Sequence, residues 1–378
     1  MARLAQRIPK VMHVVFSLAP GGGAERLVYE LARDPVFSAN PPVVCCLHCV
    51  GALGERLQEE GYRIFCRTRA RGFDFSIVRW LARVMIDERI EVVHAHQYTP
   101  MFYAVPAAFL AAGRGVVYTE HGRLYPDVAS WKRRMVNPLL ALGLDRLVSI
   151  SHCTKEAMVA VDNLPSRRIQ VVHNGVRLSE PPSFDAAAKR RALGVGEGDR
   201  LIGTAARLEP IKNIAMMLRA LKEVAAERPE TVLLIAGFGS QEQVLRDLAR
   251  ELGVEDRVRF LGLRDDLLEI YPLLELFLLT SFSEGISITL LEAMSQGVPA
   301  VATRAGGNSE VVVEGETGYL VEVDDDRALA AAILRLLAAP ELGREMGFKA
   351  ARRVEGSFSF DAMVQEYLDI YRAVVGRR

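Results

Sequence analysis

Two glutamates eight residues apart are the residues of this sequence best placed for chemistry. Glu284 follows an apolar run and lies in a loop of small residues, and a helix is predicted to begin at about Ser287, with Glu292 roughly a turn further in. Free backbone amides at a helix start can bind phosphate without a metal, and a carboxylate can accept hydrogen bonds from ribose hydroxyls. The two carboxylates are therefore predicted to reach different parts of one ligand.

Two cations lie upstream in a second loop. Arg207 and Lys212 follow an apolar run that predicts a strand over 201–205. Arginine offers a planar fork of donors and lysine a mobile point charge, a pairing that suits a diphosphate. This loop alone would be interpreted as carrying two solvated surface cations, but the glutamate pair downstream favours an anionic ligand.

A third candidate is the glycine loop at 20–26, which joins the first predicted strand to the first helix. Its backbone at Gly22 and Gly23 could approach an anion at the helix N-terminus. The loop is not a dinucleotide fingerprint, because Arg26 replaces the last glycine and no acidic residue ends the second strand near 48. Taken alone, it is equally consistent with an ordinary tight turn.

Short apolar runs alternate with helical patterns along the chain, which is typical of parallel sheets covered by helices on both faces. Strands are predicted in the first half near 11–17, 43–48, 91–95, 115–119, 146–150 and 169–173. Strands are predicted in the second half near 201–205, 231–236, 258–261, 275–280, 298–302 and 318–321, followed by three helices. Further helices are predicted at 23–33, 74–88, 101–112 and 152–161.

The alternation lapses near 178–199, which indicates a linker. The sequence therefore predicts an α/β protein with two Rossmann-like, doubly wound domains, 1–180 and 181–359. Sheets of this kind bind ligands at the carboxyl ends of their strands, so the two domains are expected to face a shared central cleft.

The composition is that of an ordinary globular protein. The chain has 378 residues, of which 50% are hydrophobic and 25% charged, and this excludes disordered and collagen-like classes. The 47 basic and 47 acidic residues cancel, but residues 1–180 carry a net charge of +7 and residues 181–378 carry −7. No run approaches 18 uninterrupted apolar residues, so no membrane span is predicted.

The cysteines and the N-terminus indicate the compartment. Five cysteines without framework spacing predict reduced thiols and a cytoplasmic location. The cluster 45–49 (C-C-L-H-C) is predicted to be a buried strand rather than a metal site, because adjacent strand residues point to opposite faces. The N-terminal segment resembles a signal peptide, but His13 interrupts its apolar run, and a first strand is the better interpretation.

Several motifs together resemble the GT-B glycosyltransferases, and more closely glycosyltransferase family 4. The likeness extends over nearly the whole chain. The motifs are G-G-G-A-E-R at 21–26, V-H-A-H at 93–96, T-E-H-G at 119–122, V-V-H-N-G-V at 171–176, the R-x4-K pair at 207–212, A-G-F-G at 236–239 and S-E-G-I-S-I-T-L-L-E-A-M at 283–294. One departure is Arg177, where the family often has aspartate after N-G-V.

The resemblance assigns roles to these positions. It implies that Arg207 and Lys212 bind the donor diphosphate, that Glu284 binds the sugar, and that Glu292 binds the ribose. It also implies that His121 lies at the sugar, with Arg207, Lys212, Glu284 and His121 as the catalytic group. The remaining donor-binding positions are Gly22 and Gly23 from the opposite domain, Gly237, Gly285, Ile286, Ser287, and Leu263 in the 260–264 segment that borders the base.

The implied activity is retaining transfer of a hexose from a nucleotide diphosphate sugar to a glycan or lipid-linked acceptor. UDP-sugars are the commonest donors of the family, and cell-surface polysaccharide or glycolipid synthesis is the expected context. No cofactor and no metal are expected, because the cations and helix amides take the place of Mg²⁺. The family also sends its last helix, here 360–378, back over the first domain.

Two other functions are consistent with parts of the sequence. A non-catalytic sugar-nucleotide-binding protein would keep the phosphate-binding residues but would not need Glu284 together with His121. His94 and His96 at a predicted strand end could begin the ligand set of a metal-dependent hydrolase, although no later ligands follow in order. The run 324–326 (D-D-D) formally contains a D-x-D metal motif, but it precedes a helical pattern and is predicted to cap that helix.

The acceptor is expected to contact the basic first domain. Its cations lie at Arg63, Arg67, Arg69, Arg71, Arg79 and Arg83, and at 132–134 beside Trp131, Met135 and Leu139. A basic helix with an apolar side is typical of a membrane surface or of a face that binds acidic substrates, and a solvated basic face is about as consistent. We predict peripheral contact with the cytoplasmic face of an anionic membrane and no nucleic-acid partner.

Overall fold

A computed structural model describes residues 7–122, 130–179 and 183–376 of the chain. It divides into two compact units. The N-terminal unit contains the chain up to His173 together with Asp361 onward, and the C-terminal unit contains Asn174–Phe360.

The N-terminal unit is built on a seven-stranded parallel sheet in the order β3-β2-β1-β4-β5-β6-β7. Its strands are β1 (Val11–Ser17), β2 (Val43–Cys49), β3 (Ile64–Cys66), β4 (Val92–His96), β5 (Gly115–Glu120), β6 (Arg146–Ser149) and β7 (Ile169–Val171). The α-helices are Gly23–Ala32, Gly51–Glu59, Phe75–Asp87, Tyr98–Leu110, Trp131–Leu142 and His152–Ala160, with Phe360–Val375 returning from the end of the chain.

The C-terminal unit has a six-stranded parallel sheet in the order β10-β9-β8-β11-β12-β13. Its strands are β8 (Arg200–Ala205), β9 (Thr231–Ala236), β10 (Val258–Gly262), β11 (Leu276–Leu279), β12 (Ala300–Thr303) and β13 (Gly318–Val321). The α-helices are Ala186–Ala192, Ile214–Glu227, Glu242–Glu251, Leu267–Ile270, Ile288–Ser295, Asn308–Val311, Asp326–Ala338 and Pro340–Ser357.

All twelve predicted strands are present, with ends displaced by no more than two residues. The reason is their burial. In β4 and β9, for example, every residue is buried, as expected where helices cover both faces of a parallel sheet. The prediction of an α/β fold with two doubly wound sheets is therefore confirmed.

The strand β3 was not predicted. It is three residues long, lies at the edge of the sheet, and is only partly buried. Its three apolar residues lie between Arg63 and Arg67, so the apolar run of Ile64–Cys66 is shorter than the runs that predict the other strands.

The prediction of a linker over 178–199 was wrong for part of that range. Residues Ala186–Ala192 form a helix, and the Asp185 side chain accepts hydrogen bonds from the amides of Ala187 and Ala188 at its start. Alanine favours a helix and aspartate is a good N-cap. The helix cap predicted in the run 324–326 is confirmed, because Asp325 accepts from the Ala328 amide at 2.9 Å.

The unit boundary lies after His173, seven residues before the predicted position. The residues that follow pair with the end of the C-terminal unit: the Val176 amide donates to the Phe358 carbonyl at 2.9 Å, and the Phe360 amide donates to the Val176 carbonyl at 3.0 Å. The Arg177 guanidinium, at the position that departs from the family pattern, lies 4.3 Å from the centre of the Phe360 ring.

The final helix packs within the N-terminal unit. Tyr367 and Tyr371 are fully buried there, and the Tyr371 hydroxyl lies 2.7 Å from Nδ1 of His94. No helix among the described residues is both long and apolar enough to cross a membrane.

Candidate active site

Glu284 and Lys212 are brought into direct contact in the C-terminal unit. The Lys212 ammonium lies 2.5 Å from Oε1 of Glu284, and the Ser281 hydroxyl donates to the same oxygen at 2.6 Å. The two charged side chains retain only 17% and 10% of their exposure. A carboxylate held by two donors keeps one orientation and can present its other oxygen to a ligand.

Two loops are tied together to produce this contact. Lys212 ends a short 3₁₀ turn, and Asn213 after it adopts a left-handed conformation with φ of 48°. The Thr280 hydroxyl donates to the Asn213 carbonyl at 2.9 Å, and the Phe282 amide donates to the Ile211 carbonyl at 2.8 Å. The loop after β8 is thereby fixed against the loop after β11.

Two glycines support the other side of the Glu284 loop. The Gly307 amide donates to the Glu284 carbonyl at 3.1 Å. A Cβ atom at Gly307 would lie 1.7 Å from the Gly285 carbonyl oxygen, and one at Gly306 would lie 2.0 Å from that of Glu284. Such distances are far inside van der Waals contact, so both positions require glycine for the loop to keep this shape.

The helix Ile288–Ser295 begins at the predicted place. Ser287 is its N-cap, and the Ser287 hydroxyl accepts from the Leu290 amide. The Thr289 hydroxyl donates to the Ala205 carbonyl at 2.8 Å, which ties the helix start to the end of β8. The Asn174 side chain donates to the carbonyl of buried Ile286 at 3.2 Å. The free amides of a helix first turn can donate hydrogen bonds to an anion, and this helix starts four residues after Glu284, the partner of Lys212.

Glu292 lies one turn inside this helix and is 8% exposed. The hydroxyl of buried Tyr271 donates to its Oε2 at 3.0 Å. Tyr271 was not found by sequence reasoning, because a buried tyrosine in a short connecting turn carries no spacing that links it to a glutamate 21 residues later.

The remaining predicted donor residues lie at the same edge of the sheet. Arg207 is exposed directly after β8. Gly237 follows β9 with φ of 136°, and its amide donates to the Gly262 carbonyl at 2.7 Å at the end of β10. Leu263 comes next and is 58% exposed. The strands β10, β9, β8 and β11 are neighbours, so the loops that follow them lie side by side at the carboxyl edge, where sheets of this kind bind ligands.

Glu209, in the same loop as Arg207, already accepts hydrogen bonds from within the protein. The amide and the hydroxyl of Ser240 both donate to Glu209, at 3.1 and 2.8 Å. These hydrogen bonds, led by that of the Ser240 amide, lower the pKa of Glu209, and the Arg207 charge contributes. Glu209 therefore stays ionised and fixes the loop that carries both cations.

The other predicted residues lie in the N-terminal unit, at the carboxyl edge of its own sheet. Gly22 is the N-cap of the helix Gly23–Ala32, after Gly21 with φ of 93°. His121 follows β5, and its Nε2 lies 2.8 Å from Nδ1 of His96. Burial lowers the pKa of His121 to about 3, so its imidazole is neutral at physiological pH.

The two histidines considered as ligands of a hydrolase metal are inside the core. His94 and His96 are fully buried. The two ring nitrogens of His94 are hydrogen-bonded to the Tyr371 and Thr119 hydroxyls, each at 2.7 Å. The two ring nitrogens of His96 are hydrogen-bonded to His13 and His121. The nitrogens that a catalytic metal would need are thus engaged, and the geometry does not support the hydrolase alternative.

Comparison with known proteins agrees with this geometry. A family model described as Glycosyltransferase Family 4 matches residues 21–180, and one described as Glycosyl transferases group 1 matches residues 185–353. An N-acetyl-alpha-D-glucosaminyl L-malate synthase of Bacillus anthracis is 29% identical over 313 residues, which cover 80% of each chain. A D-inositol 3-phosphate glycosyltransferase of Rhodococcus erythropolis is 30% identical over 358 residues, 91% of this chain and 76% of the relative.

A solved structure shares the fold. Anabaena Alr3699/HepE in complex with UDP superposes with a TM-score of 0.85 at 22% identity, and the alignment covers 96% of this chain and 100% of that chain. The two family models together span most of the sequence, and the curated relatives align across both units. The chain therefore belongs to the GT-B glycosyltransferases of family 4.

Proposed function

We propose that the protein is a retaining hexosyltransferase that takes its sugar from a nucleotide diphosphate sugar, with UDP-sugars favoured, and transfers it to a glycan or lipid-linked acceptor. The contact between Lys212 and Glu284 beside a helix N-terminus carries this proposal. A cation and helix amides suit a diphosphate, and a carboxylate beside them suits the hydroxyls of a sugar. The UDP complex of Alr3699/HepE and the glucosaminyl and inositol-phosphate transferases among the relatives support it.

The charges suggest how the leaving group departs. Breaking the bond between the anomeric carbon and the phosphate oxygen leaves negative charge on the diphosphate. An ammonium has three donors, and Lys212 uses one on Glu284, so the others can turn to that charge. Together with Arg207 and the helix amides, Lys212 would stabilise it without Mg²⁺.

Retention follows in our proposal from a front-face transfer. Glu284 accepts hydrogen bonds from Lys212 and Ser281, which suits a carboxylate that orients sugar hydroxyls better than a nucleophile that attacks carbon. The acceptor oxygen would bond to the anomeric carbon on the face from which the diphosphate leaves. The acceptor proton would pass to the departing phosphate oxygen.

A donor screen tests the proposed substrate class and the absence of a metal requirement. UDP-, GDP- and ADP-sugars are compared by thermal shift and by donor hydrolysis, with and without EDTA. We expect UDP-sugars to raise the melting temperature most and to be hydrolysed at the same rate in EDTA. Loss of hydrolysis in EDTA would contradict metal-independent transfer, and a larger shift with another base would overturn the choice of UDP.

The variant Glu284→Gln separates an enzyme from a non-catalytic binding protein. We expect donor affinity to be preserved and turnover to be lost, because the amide keeps the shape but not the charge that pairs with Lys212. If wild-type protein binds a nucleotide sugar and turns over no donor with any acceptor, the binding-protein alternative is the correct one.

We further propose that an apolar and basic face of the N-terminal unit contacts an anionic lipid surface that carries the acceptor. Ten of the fifteen exposed large apolar side chains among the described residues lie between Phe73 and Leu142. Helices Phe75–Asp87, Tyr98–Leu110 and Trp131–Leu142 border an open groove of about 490 Å³ there. Exposed cations lie on two of these helices, at Arg79, Arg83, Lys132 and Arg134, and the half-buried Arg114 lies at the groove edge.

Peripheral membrane binding depends on apolar area buried in the bilayer and on attraction to anionic headgroups. This face can supply both. Leu139 is 69% exposed at the groove, and Phe348 is 67% exposed on a helix of the C-terminal unit. The two positions provide a matched pair for a test of which surface meets lipid.

The test is co-sedimentation with vesicles of phosphatidylcholine alone or with 30–40% phosphatidylglycerol, roughly an anionic-leaflet mimic. We expect wild type to sediment only with the anionic vesicles, Leu139→Glu to remain in solution, and Phe348→Glu to behave as wild type. Binding that ignores the anionic lipid, or that is lost equally in both variants, would sink the proposal.

A further inference from the structure

Three histidines in the N-terminal unit form a continuous row of hydrogen bonds. His13 lies on β1, His96 ends β4, and His121 follows β5, and these strands are neighbours. Nδ1 of His13 lies 2.9 Å from Nε2 of His96, and Nδ1 of His96 lies 2.8 Å from Nε2 of His121. The row runs from the core of the sheet to the residue expected at the donor sugar.

All three imidazoles are held neutral. His13 and His96 are 0% and 1% exposed, and burial lowers the pKa of His13 and of His121 to about 3. The pKa of His96 is also lowered well below its usual value, first by burial and then by the neighbouring histidines. A neutral imidazole carries one N–H, so one of its nitrogens donates and the other accepts.

This count of protons couples the three rings. His96 must donate on one side and accept on the other, which leaves two arrangements of the row. In the first, His13 donates to His96, His96 donates to His121, and His121 carries its proton on Nδ1. In the second, every bond is reversed, and Nδ1 of His121 becomes an acceptor.

The two arrangements differ in whether each terminal nitrogen of the row carries a proton. Nε2 of His13 and Nδ1 of His121 are both buried, and neither has a hydrogen-bond partner within the described ranges. Buried polar atoms are rarely left unpaired. Nδ1 of His121, at the carboxyl edge of the sheet, is therefore the atom of this row that a ligand oxygen can satisfy.

We propose that His96 and His13 are positioning residues that fix the His121 ring and its proton, and that nucleotide-sugar binding selects the arrangement in which Nδ1 of His121 donates. This inference rests on the proposed function and on the resemblance to family 4, which implies that His121 lies at the donor sugar. An N–H at Nδ1 can bond to any oxygen of a nucleotide sugar, whether hydroxyl or phosphate, whereas a bare nitrogen can accept only from a hydroxyl. The row lets His121 adopt this form without placing charge in the core.

A metal ion is the other use that His13, His94 and His96 suggest, since their nitrogens lie within 4.8 Å of one another. Zinc bonds of 2.0–2.1 Å in a tetrahedron separate ligand nitrogens by about 3.3 Å. The His13–His96 pair is closer than that, at hydrogen-bond distance. Both nitrogens of His94 are also occupied by hydroxyls, so hydrogen bonding explains the cluster better.

Nitrogen NMR of the full chain with ¹⁵N-labelled histidine tests the coupling directly. Chemical shifts distinguish the two tautomers of a neutral imidazole, and single replacements assign the rings. We expect His13, His96 and His121 to share one tautomer. UDP-glucose at about 5 mM, above the usual KM range of about 1 μM to 1 mM, should leave all three protonated at Nδ1. Mixed tautomers in the row, or uptake of one equivalent of Zn²⁺ that displaces these signals, would overturn the proposal.

A matched pair of variants at His13 tests the consequence for catalysis. Asparagine and leucine have similar shapes, but only the asparagine side chain can bond to Nε2 of His96. We expect His13→Leu to lower kcat/KM by about tenfold, the effect of one lost hydrogen bond to a buried polar atom, and His13→Asn to stay within about twofold. Equal losses in the two variants would show a structural role and would refute positioning through the row.

The two tests separate this inference from the proposed function. The NMR experiment on unliganded protein needs no turnover, so it stands even if no donor is hydrolysed. If turnover is present and the tautomers are uncoupled, the proposed coupling of the three histidines is refuted and the proposed glycosyl transfer still stands.

Discussion

At the scale of single residues, the site depends on contacts that hold its charged groups in place. One carboxylate oxygen of Glu284 accepts hydrogen bonds from Lys212 and Ser281, and the Tyr271 hydroxyl donates a hydrogen bond to Glu292. The charged residues could be predicted from the sequence, because glutamate, lysine and arginine at this spacing suit a sugar diphosphate. Ser281 and Tyr271 could not be predicted, because hydroxyl donors are common in any sequence. Only the structure shows which carboxylates they contact.

The variant Lys212→Ala should lower kcat by about 10² to 10³ while changing donor affinity little, because the ammonium meets most of the negative charge in the transition state. Steady-state kinetics and calorimetric donor binding measure the two effects. Lys222→Ala, on an exposed position of the helix Ile214–Glu227, is the control and should behave as wild type. Equal losses of turnover and affinity in Lys212→Ala would contradict transition-state stabilisation by this residue.

At the scale of elements, the active-site loop takes its shape from backbone contact with its neighbour. Gly307 packs against the Gly285 carbonyl so closely that no side chain fits. The sequence places both glycines in loops after predicted strands, but only the tertiary structure brings the loops after β11 and β12 together. The same reason explains why β3 was not predicted. A strand of three residues is recognised only by its pairing with β2, which the local sequence does not show.

The variant Gly307→Ala should reduce the free energy of unfolding by about 1–3 kcal/mol, as overpacking usually does, and should also displace the Glu284 loop and reduce turnover. Gly356→Ala is the control: it lies in the helix Pro340–Ser357 with no neighbour within 4 Å of an added Cβ. It should be neutral or stabilise by up to about 1 kcal/mol. Urea titrations compare the two, and an unchanged midpoint for Gly307→Ala would show that the loop can move.

At the scale of the whole molecule, charge and titratable groups are divided between the two units. The N-terminal unit has 25 Lys+Arg and 18 Asp+Glu, net +7, and the C-terminal unit has 22 and 29, net −7. The overall charge of zero therefore hides a basic unit with the apolar face and an acidic unit in which Arg207 and Lys212 lie at the proposed donor site.

All seven histidines and both tryptophans also lie in the N-terminal unit, and this predicts its response to acid. The buried imidazoles, for example His13 and His121 with their pKa lowered to about 3, stay neutral in the folded state. Unfolded histidine takes up a proton below about pH 6.5. The unfolded state thus binds more protons, and stability is lost as the pH falls from about 6.5 towards 3.

Tryptophan fluorescence reports on this unit alone, through Trp80 and Trp131. We expect its urea midpoint to fall between pH 7 and pH 5, because the free energy of unfolding decreases by up to about 1.4 kcal/mol per pH unit for each histidine that is kept neutral. His13→Asn should reduce this dependence by the share of one histidine. A midpoint that does not change between pH 7 and pH 5 would mean that these rings are protonated in the folded protein.

The sequence by itself determined the α/β class and twelve of the thirteen strands, and it predicted the residue types of the proposed donor site, because apolar periodicity and local motif spacing are properties of neighbouring residues. The tertiary structure alone decided that Lys212 meets Glu284, that Tyr271 holds Glu292, and that three histidines from β1, β4 and the end of β5 join in one row. These contacts link residues far apart in the chain. Their distances are set by strand order and register, which no local pattern encodes.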